Sequence, residues 1–88
     1  MIIKKESNNK ITVYMDDTPT HARKLVYSKE RNEKGKYIFE RESDLNCAMA
    51  EPPADGRSIV IAELTNRVNH HGYTEISQQE FEEDFEQV

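Results

Sequence analysis

The sequence predicts an α+β domain: a small antiparallel sheet of two β-hairpins, with three to four strands, followed by two C-terminal helices packed on one of its faces. Three observations carry that prediction. Apolar residues recur with period two through residues 1–42, as in a strand with one buried face. Val60, Leu64 and Val68 then recur every fourth residue and run into Gly72, a helical stripe with a stop signal. Finally, Ser77 and Glu80 have capping-box spacing, with Ile76 and Phe81 placed to form a hydrophobic staple. Runs of strands followed by runs of helices define the class.

Residues 2–6 are β-prone, and Ser7-Asn8-Asn9-Lys10 is a turn of residues that bond their own backbone or tolerate left-handed conformations. Ile11, Val13 and Met15 alternate with Thr12, Tyr14 and Asp16, completing the first hairpin. Pro19 breaks the pattern because it lacks a ladder N–H. The second hairpin runs from Lys24 to Glu30, loops through residues 31–35 and returns from Lys36 to Glu42. Leu25 and Tyr27 share one face with Tyr37 and Phe39, so cross-strand aromatic pairs set the register.

Residues 43–56 are expected to be irregular: a helical turn through Leu45–Ala50, ended by Pro52-Pro53, and an extension of the preceding strand both fit them. Ser58-Ile59-Val60-Ile61 suits a strand by composition, but the stripe ending at Gly72 assigns 57–71 to a helix. Gly72 supplies the positive φ of a Schellman ending, and Tyr73 should fold back on Val68. The last helix, 78–88, places Phe81, Phe85 and Val88 on one stripe. Together the helices should cover Val13, Leu25, Val26 or Tyr27, and Ile38 or Phe39.

Eighty-eight residues make a single domain. Ile, Val, Leu and Phe total only 18 of them, close to the ~20% floor for a folded chain of high charge, so the core is thin. The net charge of −5 is divided unevenly, +3 over residues 1–42 and −8 over residues 43–88. A thin core and halves of opposite sign point towards association, a homodimer being the simplest form. The lone Cys47 fits a reducing compartment. The longest apolar run is Ile59–Ala62, so a soluble, cytoplasmic protein without a membrane span is expected.

No motif points to catalysis, and no cofactor or metal is expected. His70 and His71 are adjacent, so about 100° separates them on a helix and they do not share a face with ligand spacing. Their position in the last helical turn suits the helix dipole instead. His21 and Cys47 add no ligand spacing, and Cys47 among small residues reads as structural. The carboxylates of 80–86 lack the order of a calcium loop. Three glycines are too few for a phosphate-cradling loop, and no serine sits in a nucleophile elbow.

Two surfaces remain. Glu82, Glu83, Asp84 and Glu86 on the last helix are candidates for binding a protein partner, including imitation of a phosphate backbone to inhibit a nucleic-acid enzyme. Lys24, Lys29, Lys34 and Lys36 on the sheet, near Tyr27, Tyr37 and Phe39, are the alternative, a nucleic-acid surface. The net charge and the demand of the core for those aromatics weigh against nucleic acid. The leading expectation is therefore a non-catalytic protein-binding module. A small, acidic, motif-free chain resembles the accessory proteins of bacteria and phages in this general respect only.

Overall fold

Strands β1 (Ile2–Glu6), β2 (Lys10–Asp16), β3 (His21–Arg31) and β4 (Tyr37–Asn46) form an antiparallel meander in the computed structural model, which describes residues 1–88. Helix α1 (Ile59–His70) follows, then a short strand β5 (Thr74–Ile76) and helix α2 (Gln78–Asp84). The sheet order is β4-β3-β2-β1-β5. The class is α+β as predicted, with five strands rather than three or four. The additional strand is β5, whose three residues are too few to show a period and were absorbed into the expected connection between the helices.

That strand corrects the layer arrangement. Ile2 and Ile3 are neighbours on β1, point to opposite faces and are both buried. One face packs Ile2, Ile11, Val13, Leu25 and Tyr27 with Ile76, Phe81 and Phe85. The other packs Ile3, Tyr14 and Ala22 with Cys47, Val60 and Leu64. The helices thus lie on opposite faces, not on one. The chain enters the sheet edge from α1 and leaves β5 at Ile76 on the α2 side, so a single short strand carries it from one face to the other.

Both strands of the second hairpin are longer than expected. β4 continues to Asn46, with Ala22 opposite Leu45 and His21 opposite Asn46. The irregular stretch accordingly begins at Cys47, where the N–H bonds Thr20 O at 2.8 Å. Bulges displace the β3–β4 register around Tyr27, and Tyr27 faces Phe39 across the strands, ring centroids 5.7 Å apart.

Both helix starts and the stop between them follow their local chemistry. Ser58 Oγ accepts from Ile61 N at 3.1 Å and Ser77 Oγ from Glu80 N at 3.0 Å. Gly72 has φ +77°. The stop is wider than a Schellman turn, because Arg67 O accepts from both His71 N (2.9 Å) and Tyr73 N (3.3 Å). Tyr73 and Val68 still pack against the same apolar cluster.

The last helix is shorter than predicted, ending at Asp84 instead of 88. Phe85 is extended (φ −123°, ψ 140°), and Val88 is 62% exposed rather than part of a stripe. Glu82, Glu83 and Asp84 crowd the negative end of the dipole, which disfavours another turn. Leaving the helix also lets Phe85 reach Tyr27 and Tyr37, at 4.9 and 5.1 Å between centroids.

Candidate functional site

The acidic set of the last helix is not one surface. Glu86 has turned back onto the β3–β4 hairpin: its Oε1 accepts from Phe39 N at 2.7 Å and its Oε2 from Asn32 Nδ2 at 2.9 Å. Its N–H donates to Tyr37 O, and its carbonyl accepts from Tyr27 Oη at 2.8 Å. The Phe39 N–H, then the Asn32 amide, hold the Glu86 carboxyl below the ordinary carboxylate range. Burial pushes the Tyr27 phenol up to about 12. Asp84 is half-buried; Glu82 and Glu83 remain exposed, each within reach of a glutamine one turn earlier.

The basic set is dispersed too. Lys24 lies on the α1 face above the Tyr14 ring, 6.0 Å from its centroid. Lys36 Nζ bonds Glu82 O at 2.8 Å, Lys34 sits in the hairpin loop, and Lys29 is exposed near the end of β3. Tyr27, Tyr37 and Phe39 belong to the core on the α2 face, so no base could stack on them beside Lys24.

His21 lies 3.8 Å from Asp44, away from His70 and His71 at the end of α1. Burial pushes the Cys47 thiol pKa up, opposite to the direction an attacking thiolate needs.

The feature that local patterns could not reveal is the outer edge of β4. Its first residues are covered, since Phe85 bridges Tyr37 in parallel and the Glu86 carboxylate occupies Phe39 N–H. From Glu40 to Asn46 its only strand neighbour is β3. Cys47 directs its N–H inward to Thr20, so strand alternation turns the N–H and C=O of Glu42 and Asp44 outward.

Side chains leave this edge clear. Glu42 lies back across the sheet on Arg23, with contacts of 2.8 and 3.2 Å. Asp44 faces His21, and Glu40 pairs with Lys10. The Arg23 guanidinium holds the Glu42 carboxyl below the ordinary range. A row of unpaired backbone groups with its charged side chains drawn inward is a template for another strand.

Comparison with protein-family models, curated proteins and solved structures found no match. The edge therefore stands on its geometry alone.

Proposed function

We propose that the chain is a non-catalytic protein-binding module of the accessory type, which captures an extended segment of a partner protein along the open edge of β4. The outward backbone groups of Glu42 and Asp44 carry this reading. Strand addition takes its affinity from main-chain hydrogen bonds and its specificity from alternate side chains. The site thus moves from the acidic helix to the sheet edge.

A partner of different sequence fits this edge better than a second copy. Two-fold antiparallel pairing of β4 with itself, centred on residue 42, 43 or 44, sets Glu42 or Asp44 against another carboxylate in every register. Directly opposed like charges destabilise a strand pair. This reading favours a monomer over the homodimer suggested by composition, and sedimentation equilibrium should return the monomer mass of 10.3 kDa.

Hydrogen–deuterium exchange tests the edge once a partner has been captured from host extract. The amides of Glu42 and Asp44 should gain protection in the complex. Asp44→Pro, which removes an outward N–H from an edge strand, should retain the circular dichroism of the wild type and lose the partner. Protection confined to α2, or undiminished binding by the folded proline variant, would sink the reading.

A further inference from the structure

The face of the sheet that carries α1 is covered over only part of its width. Beyond the helix, Lys5, Thr12, Val26 and Arg41 form a row across four strands, each opposite the next in the register. In the adjoining row Ser43 lies opposite Lys24. Three interstrand spacings span about 14 Å. Lys5, Lys24 and Arg41 have no carboxylate within ion-pair distance, and the hydroxyls of Thr12 and Ser43 have no hydrogen-bond partner.

Neighbouring cations are already neutralised, Lys10 by Glu40 and Arg67 by Glu63. The carboxylates of α2 are on the other side of the sheet. Three free cations therefore share one surface of a chain whose net charge is −5.

We infer that this surface binds the phosphate backbone of a single-stranded nucleic acid, laid across the sheet at the foot of α1, with Lys5, Lys24 and Arg41 on phosphates and the Thr12 and Ser43 hydroxyls donating between them. Cations interleaved with free hydroxyls are the groups that contact nucleic-acid backbones. A flexible strand can lie flat over four β-strands, whereas a convex duplex meets a flat face along one line.

The interaction is independent of base sequence. Lys5 covers the Tyr73 ring at 5.7 Å, and Arg67 covers Tyr14 at 4.6 Å, so neither aromatic offers a bare face for stacking. The site meets the strand-addition edge only at β4, where Arg41 and Ser43 belong to the face while the backbone groups of Glu42 and Asp44 point outward; Lys5 and Lys24 lie on inner strands.

Fluorescence anisotropy with a labelled oligothymidylate tests the inference. Three phosphate contacts predict a log–log salt slope near −2, so affinity should fall about 100-fold over a tenfold rise in salt from about 20 mM. The combined variant Lys5→Gln, Lys24→Gln, Arg41→Gln should bind at least about tenfold more weakly at the low-salt end, with a slope close to zero. Lys5→Arg with Lys24→Arg should retain binding, as should the control Lys29→Gln with Lys34→Gln. All variants are first checked for native circular dichroism.

Absence of saturable binding at low salt would overturn the proposal. So would undiminished binding by the folded triple variant, or equal affinity for a duplex or for poly-L-glutamate of matched charge.

Discussion

The two faces of the sheet are closed by different means. On the α2 face Tyr27 is the centre of an aromatic cluster, with Phe39, Phe81 and Phe85 at 5.7, 6.4 and 4.9 Å. The tail ties that cluster to the hairpin through four hydrogen bonds of Glu86. On the α1 face the packing is aliphatic, through Val60 and Leu64 on Ile3 and Ala22, and cations cover the aromatic rings at its border. A helix of seven residues suffices on the first face because rings and tail fill the remaining space. The twelve-residue helix on the second leaves a strip of sheet to charged side chains. The larger aromatic packing lies on the closed face, and the groups proposed to bind lie on the other face and at the free edge.

The largest test of this contrast removes the ring that closes the α2 face. Phe85→Ala should cost about 3–5 kcal/mol, since Phe85 is fully buried and holds both α2 and the Glu86 tail in place. Val60→Ala on the other face removes only two methyl groups, and about 1–2 kcal/mol is expected at roughly 0.8 kcal/mol per buried carbon. Urea midpoints measure both. Equal losses would mean that the aromatic face carries no special share of the stability.

Much of this arrangement was legible where the signal was local. Gly72 and Ser77 act through neighbours within a few residues, so the stop of α1 and the start of α2 could be read in the sequence, whereas the cap at Ser58 was masked by a β-branched run that also suits a strand. The hairpins were legible for the same reason, through alternation at Ile11, Val13, Leu25 and Tyr27. What escaped depends on contacts far along the chain. β5 exists because Thr74, Glu75 and Ile76 find β1, seventy residues earlier. Phe85 looked helical because its spacing from Phe81 is helical; its partners Tyr27 and Tyr37 draw it out. Glu86 looked like part of an acidic surface, yet Asn32 and Phe39 claim both its oxygens. The outer edge of β4 was hidden because which strand lies last in a sheet is a property of topology, not of any window.

A smaller effect separates the two ends of the junction between the faces. Gly72→Val should cost about 1–2 kcal/mol because its φ of +77° disfavours a β-branched residue. Steric room is not the limit, since a Cβ there would meet only the end of the Lys5 side chain, at 3.6 Å. Ser77→Ala should lose about 0.5–2 kcal/mol with its cap to Glu80. Thermal melts of the two variants compare them, and wild-type midpoints for both would mean that the crossing between faces is held by the sheet rather than by its helix ends.

The finest comparison sets the tethered carboxylate of the closed face against one beside the open edge. Glu86 is held below the ordinary range by the Phe39 N–H and Asn32, and Glu42 by Arg23. A carboxyl whose folded pKa is depressed stabilises the fold above its unfolded pKa and loses that contribution as pH falls through the folded value. Urea midpoints should therefore be flat near neutrality and decline below about pH 4.5, where the unfolded chain begins to take up protons. Glu86→Gln should flatten part of that decline, because glutamine can still accept one hydrogen bond but has no proton to gain. Glu42→Gln should flatten it less, since Arg23 and Glu42 are both partly exposed and solvent screens the pair. If the two variants kept the full acid dependence of the wild type, neither carboxylate would be linked to folding, and the tail would be held by Phe85 alone. If Glu42→Gln had the larger effect, the charge ladder on β4 would be a structural element, and the edge would be less free to accept a partner than its backbone geometry implies.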